Sequence, residues 1–142
     1  MASLIKVEGI GENYATKLKK MGISTTEILL ERGRTPKGRK EIADKSGIPG
    51  TLILEWVNLA DLFRIKGVGE EYSDLLAMAG VDTVRELANR NPNSIYQAVV
   101  EVNQTKKLVR KLPTQDQLND WVEQAKKLSR QGPEKPGGLI NY

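Results

Sequence analysis

"RIKGVGEEY" at residues 64–72 repeats the pattern of "KVEGIGENY" at residues 6–14. Each stretch holds two glycines separated by one apolar residue, then an acid, with a tyrosine three residues after the second glycine. Because glycine reaches backbone angles that clash for other residues, two glycines at this spacing predict a tight turn. The chain therefore carries the same predicted turn twice.

The similarity extends well beyond the turns. Residues 7–33 align without gaps on residues 65–91, with nine identities in 27 positions. Similarity returns between "IPGTLILEWV" (48–57) and "LPTQDQLNDWV" (112–122), with one residue inserted. Matches of this extent predict a duplicated unit of roughly sixty residues.

This repeat sets the predicted domain organisation. The first helical repeat covers residues 1–63, with its hairpin at 9–11, and the second covers residues 64–130, with its hairpin at 67–69. Residues 131–142 are rich in proline and glycine, and we predict a flexible C-terminal tail there. The end of this tail, "LINY", is apolar enough to dock on a protein surface.

Helix start and stop signals fill both repeats. Gly22 and Gly80 are predicted to end helices in the left-handed conformation. Ser24 and Thr83, each followed three residues later by Glu, have the capping-box spacing of a helix start. Apolar residues recur at helical spacing over 115–130, and no stretch alternates as a strand would. We predict an all-α fold of about eight short helices.

Composition narrows the functional classes. The chain has 142 residues, a net charge of +4, and no Cys or His. Their absence removes the usual zinc ligands, the thiolate nucleophile and the imidazole base, and no carboxylate pair is arranged for catalysis. We therefore predict a non-enzymatic protein without a metal or cofactor. The excess of positive charge permits contact with nucleic acid without requiring it.

The apolar stretches are far too short to span a bilayer, and the N-terminus lacks the hydrophobic core of a signal peptide. We expect a soluble, cytoplasmic protein with no membrane partner.

A helix, a turn of the form apolar-x-Gly-apolar-Gly and a second helix make up the helix-hairpin-helix motif, which residues 51–79 fit. The glycines bring backbone N–H groups to the turn surface beside a helix N-terminus, where they suit a phosphate oxygen. The broader helix-hairpin-helix class implies DNA binding that is not sequence-specific.

Residues 5–129 also resemble an uncharacterised bacterial family, known only as a domain of unknown function, whose members pair two such hairpins. The resemblance rests on "VEGIGENYATKL", "GRKEIADKSGI", "LILEWVNLADLFRIKGVGEEYSDLLAMAGVDTVRELANRN" and "LVRKLPTQDQLNDWVEQAKKL".

Two basic runs add to the hairpins as candidate nucleic-acid contacts: "RGRTPKGRK" (32–40) and "KKLVRK" (106–111). Trp56 and Trp121 lie in apolar helical patterns and are predicted to be core, which disfavours binding of single strands by stacking. The candidate contacts are Lys6, Gly9, Ile10, Gly11, Lys17, Lys20, Arg34, Lys37, Arg39, Lys40, Lys66, Gly67, Gly69, Lys106, Lys107, Arg110 and Lys111.

Two functional hypotheses follow. In the first, the protein binds nucleic acid, with duplex DNA favoured, through backbone phosphates. The acids after each turn, Glu12, Glu70 and Glu71, oppose a phosphate there, so the glycines could instead serve helix packing alone. Because lysines precede and follow the first hairpin, we predict that it is the better candidate for a phosphate and that the second is more structural. In the second, the chain is a module for protein interaction or self-association, which uses the tail at 132–142 and hairpins that are purely structural.

Overall fold

A computed structural model describes residues 3–130, Ile140 and Tyr142. In this part of the chain the fold is entirely helical, with no strand, which confirms the predicted all-α class. A 3-10 helix (Leu4–Lys6) precedes eight α-helices. They are α1 (Glu12–Lys20), α2 (Thr26–Arg32), α3 (Pro36–Ser46), α4 (Gly50–Leu62), α5 (Glu70–Met78), α6 (Val84–Asn89), α7 (Pro92–Lys106) and α8 (Gln115–Ser129).

The chain divides into two compact units at the end of α4. Unit 1 comprises Met1–Asp61 and Ile140–Tyr142, and unit 2 comprises Leu62–Leu139. Most of the tail predicted at 131–142 lies outside the described residues. Its two described members, Ile140 and Tyr142, belong to unit 1.

The helix ends follow local chemistry. Gly22 and Gly80 have φ of 86° and 91°, as predicted for left-handed helix ends. Thr83 caps α6 by accepting a hydrogen bond from the Glu86 N–H at 2.9 Å. The prediction for Ser24 is wrong, because the cap of α2 is Thr25, whose hydroxyl accepts from the Ile28 N–H at 3.2 Å.

Each unit is built around a buried tryptophan paired with a tyrosine. Trp56 of α4 lies 5.0 Å from Tyr14 between ring centroids in unit 1, and Trp121 of α8 lies 5.3 Å from Tyr72 in unit 2. Both indoles are about 1 % exposed, which confirms their predicted place in the core. In unit 2, α8 packs against α6 and α7, while α5 packs against α7.

The first glycine of each turn lies directly against one of these indoles. Gly9 and Gly67 have φ of 94° and 98°, a region that L side chains rarely adopt. A Cβ atom would lie 3.0 Å from Nε1 of Trp56 at Gly9, and 2.8 Å from Nε1 of Trp121 at Gly67. Both positions therefore require glycine for two independent reasons, the backbone angle and the close packing.

In each unit, an arginine side chain bonds to the backbone at the end of the helix that follows the glycine turn. Arg32 Nη1 donates to the carbonyl of Met21 in unit 1, and Arg90 Nη2 donates to the carbonyl of Gly80 in unit 2, both at 3.2 Å. These bonds satisfy carbonyl groups that a helix C-terminus leaves without an intrahelical partner.

Three glycine-to-serine substitutions in unit 2 separate backbone strain from packing. Gly67→Ser meets both the positive φ and Trp121, so we expect it to lower the free energy of unfolding by about 2–4 kcal/mol. Gly80→Ser meets the positive φ and only the flexible tip of Arg90, so about 1 kcal/mol is expected. Gly69→Ser meets neither and is expected to be neutral or slightly stabilising.

Urea unfolding of the three variants, followed by circular dichroism, measures these differences. Equal losses for Gly67→Ser and Gly80→Ser would show that the contact with the indole does not constrain the turn.

Candidate nucleic-acid interface

The second glycine of each turn differs from the first. Gly11 and Gly69 have φ of −86° and −104°, which any residue can adopt. Both are exposed, and a Cβ atom at either position would meet nothing within 4 Å. Neither backbone angle nor packing therefore accounts for glycine at these two positions.

Each second glycine is also the N-cap of a helix that has no side-chain cap: Gly11 for α1 and Gly69 for α5. Helices most often begin at Ser, Thr, Asp, Asn or Gly, and of these only Gly has no side chain that can accept from a first-turn N–H group. Here no N-cap side chain accepts from those N–H groups, which lie beside the positive end of the helix dipole. The turns thus present donors where most helices cover them.

The middle residue of each turn faces the core. Ile10 and Val68 are 3 % and 4 % exposed, and their N–H groups donate to the carbonyls of Val7 and Ile65 at 3.0 Å. Ile10, a predicted nucleic-acid contact, therefore has neither its side chain nor its N–H group at the surface. In contrast, no acceptor among residues 3–130 takes the N–H of Gly69.

In unit 2 the turn and the second basic run come together. Arg110 and Lys111 line one open groove with the turn and the start of α5, and the groove has a volume of about 540 Å³. Its other lining residues are Gly67, Gly69, Glu70, Glu71 and Tyr72. Two segments separated by some forty residues in the chain thus face a common space. The predicted contacts in the turn and those in the second basic run, which are far apart in the sequence, therefore lie together in the structure.

The loop that carries these two cations is held by side chains at both ends. The amide of Asn103 bonds the backbone of Val109 twice, accepting from its N–H at 3.0 Å and donating to its carbonyl at 3.1 Å. The hydroxyl of Tyr72 donates to the carbonyl of Lys111 at 2.9 Å. Because these bonds fix the backbone of the loop, they hold the backbone of Arg110 and Lys111 beside the turn.

The turn is clamped from its other side by Gln124 of α8. Its amide accepts from the Lys66 N–H at 2.8 Å and donates to the Lys66 carbonyl at 3.1 Å, and it is oriented by a further bond to Asp120 at 2.8 Å. Neither Gln124 nor Asn103 was predicted from the sequence. Nothing in their local pattern marks an amide that bonds backbone so far away in the chain.

The groove is electrostatically mixed. Arg110 and Lys111 are exposed, and so are Glu70 and Glu71, so the formal charges of its lining cancel. The acids lie in the first turn of α5, where a carboxylate interacts favourably with the helix dipole. An anion in the groove would feel two cations and the backbone donors, opposed by two carboxylates.

The cations of the first basic run (32–40), in unit 1, differ in their exposure. Lys37 and Lys40 are exposed on α3 and line a shallow depression. Arg39 is only 8 % exposed, and its Nη1 donates to the carbonyl of Gly33 at 2.8 Å. Burial lowers the pKa of Arg39. Arg34 is half-buried, 3.7 Å from Glu31. The exposed charge of this run therefore comes from its two lysines and Arg32.

The remaining candidate cations are exposed. Lys6, Lys17 and Lys20 flank the first turn, and the Nζ of Lys17 lies 5.9 Å from the centre of the Tyr14 ring. Lys106 and Lys107 end α7, with Lys107 in the left-handed conformation at φ 50°. Neither of these two lysines lines the groove of unit 2.

Residues 8–128 match the family described as Domain of unknown function (DUF4332). The chain belongs to this family. No curated protein and no solved structure matches it. Within the described part of this DUF4332 chain, no helix is long and apolar enough to cross a membrane, and no group of three or more acidic side chains could hold a metal ion.

Burial raises the pKa of Asp74, in α5, because it disfavours the charged form of the carboxyl group. The carboxyl group of Asp74 therefore binds a proton more tightly in the folded DUF4332 chain than in the unfolded chain. The free energy of unfolding then falls as pH rises above 3.8, the ordinary pKa of this group. We expect Asp74→Asn to be more stable than the wild type at pH 7. The difference should vanish below that ordinary pKa.

Thermal unfolding across this pH range tests the expectation, with Asp82→Asn as a control because Asp82 is exposed. The control should change stability by no more than about 0.5 kcal/mol. An Asp74→Asn variant that is less stable at neutral pH would mean that the carboxylate makes a favourable interaction in the folded state.

Proposed function

We propose that this DUF4332 chain is a non-enzymatic helix-hairpin-helix protein that binds the phosphate backbone of duplex DNA without reading its sequence. The principal contact is the groove of unit 2, formed by the Gly67–Gly69 turn, the start of α5, Arg110 and Lys111. The first turn and the exposed lysines of unit 1 provide secondary contacts.

Gly69 is the observation that carries this proposal. Its φ of −104° and the open space beside it would accept any small side chain, and a serine or aspartate there would cap α5. Glycine instead leaves the approach to the backbone N–H groups clear. A ligand that must come close to the main chain explains this choice, whereas helix packing explains only Gly67.

Phosphate fits the chemistry of the groove. Backbone N–H groups at a helix N-terminus bind phosphate oxygens, and Arg110 and Lys111 add charge-assisted hydrogen bonds. Such contacts position a duplex but carry no sequence information.

Glu70 and Glu71 set an upper limit on the affinity. Their repulsion of a phosphate is reduced by salt, since the Debye length at physiological ionic strength is about 8 Å. We therefore expect the modest affinity of non-specific binders, with a Kd of about 10⁻⁴ to 10⁻⁶ M. Binding this weak is still measurable at low ionic strength, where phosphate contacts are strongest.

Charge reversal in the groove tests the proposal. Arg110→Glu with Lys111→Glu is compared with Lys37→Glu and Lys40→Glu, which make the same change in net charge on exposed residues of α3. Fluorescence anisotropy of a labelled mixed-sequence duplex, titrated at several salt concentrations, gives the affinities. We expect the groove variant to bind the duplex at least about tenfold more weakly than the wild type. Its salt dependence should be smaller by the equivalent of roughly two phosphate contacts.

The outcomes separate the alternatives. A larger loss for the α3 variant would move the principal contact to residues 32–40. No binding by the wild-type chain at low salt would reject nucleic acid, and the hairpins would then serve packing alone.

Gly69→Ser provides a test that does not alter charge. The new hydroxyl would cap the Tyr72 N–H and fill the approach to the turn, so stability should hold or rise by a few tenths of a kcal/mol. Affinity for the duplex should fall by about tenfold, because charge-assisted hydrogen bonds to the backbone are lost. Gly11→Ser is the matched variant in unit 1, and unchanged binding by both would contradict a role for the turns.

A further inference from the structure

Two residues near the end of the chain dock on unit 1. Ile140 is 2 % exposed. The hydroxyl of Tyr142 donates to Oδ1 of Asn58, in α4, at 2.6 Å. Together these contacts bury an apolar side chain and fix a tyrosine two positions later.

The surface beneath Tyr142 is rigidly built. The guanidinium of Arg39 lies 6.0 Å from the centre of the Tyr142 ring, within range of a cation–π interaction. Arg39 is itself anchored by its bond to the carbonyl of Gly33. Gly33 is itself packed closely against Val57 of α4, because a Cβ atom there would lie 2.5 Å from Cγ2 of Val57. The ring thus lies over a cation that the fold holds in position.

We propose that this surface of unit 1, formed by Asn58 and Arg39, is a docking site for a short segment of the form apolar-x-Tyr. Residues 140–142 of the same chain occupy this site, and they exchange between a docked state and an undocked state in which the site is empty. The inference concerns a peptide site and does not depend on nucleic-acid binding.

Docking of so short a segment is readily reversible. The burial of Ile140 and the hydrogen bond and ring contact of Tyr142 must offset the loss of chain freedom on docking. Because the segment belongs to the same chain as the site, it occupies the site ahead of a free peptide of the same sequence. A free peptide therefore competes poorly until the attached segment is weakened.

The experiment uses a synthetic peptide of residues 137–142 and the ¹⁵N-labelled full chain, observed by NMR. In the variant Ile140→Asp with Tyr142→Ala, the site is vacated, and we expect the peptide to shift the Asn58 side-chain amide and the Gly33 amide. Its apparent affinity should be at least about tenfold higher than for the wild type, since less of the site is occupied. The peptide carrying Ile140→Asp is the matched control and should not bind.

Tyr142→Phe provides a milder variant, because it keeps the buried isoleucine and the ring and removes only the hydrogen bond to Asn58. It should raise the apparent affinity of the peptide by about fivefold. Equal peptide binding by the wild type and both variants, or shifts away from Asn58 and Gly33, would overturn the proposal. A wild-type mass that doubles with concentration, and returns to monomer in Tyr142→Phe, would overturn occupancy by the chain's own segment in favour of a second copy.

Discussion

The close packing of a glycine against a tryptophan indole, which leaves no room for a Cβ atom, is the constraint on which each unit depends. It fixes Gly9 against Trp56 and Gly67 against Trp121, while a tyrosine packs on the same indole in each unit. Because the turn cannot move away from the indole without losing this packing, the start of the following helix is fixed with it. The first-turn N–H groups of α1 and α5 are therefore positioned by the core of each unit.

The two units differ in what they add to this shared arrangement. The path from the first turn glycine to the tryptophan is seven residues longer in unit 2 than in unit 1. Part of the difference lengthens α7 relative to α3, and part forms the loop that carries Arg110 and Lys111. Unit 2 thus pairs its turn with cations held by Asn103 and Tyr72. This asymmetry is the physical reason that the proposed contact centres on unit 2.

Local signals in the sequence predicted the all-α class, the left-handed glycines and the buried tryptophans, because each depends on residues close together in the chain. The cap of α2 could also have been found, since Thr25 aligns with Thr83 whereas Ser24 does not. Contacts between residues far apart in the chain could not be predicted from the sequence. The burial of Arg39 and the meeting of residues 67–69 with 110–111 depend on how helices pack, which the spacing of charges does not encode.

The two glycines of each turn have separable tasks, and this separation bears on function. Had the turns served packing alone, only the first glycine would be required, and the second position would gain stability from a capping side chain. The chain has glycine at both Gly11 and Gly69, although the sequences around the two turns differ at most aligned positions. A capping side chain is forgone twice at the same point of the turn. The open approach to the backbone is therefore better explained by a ligand than by the fold.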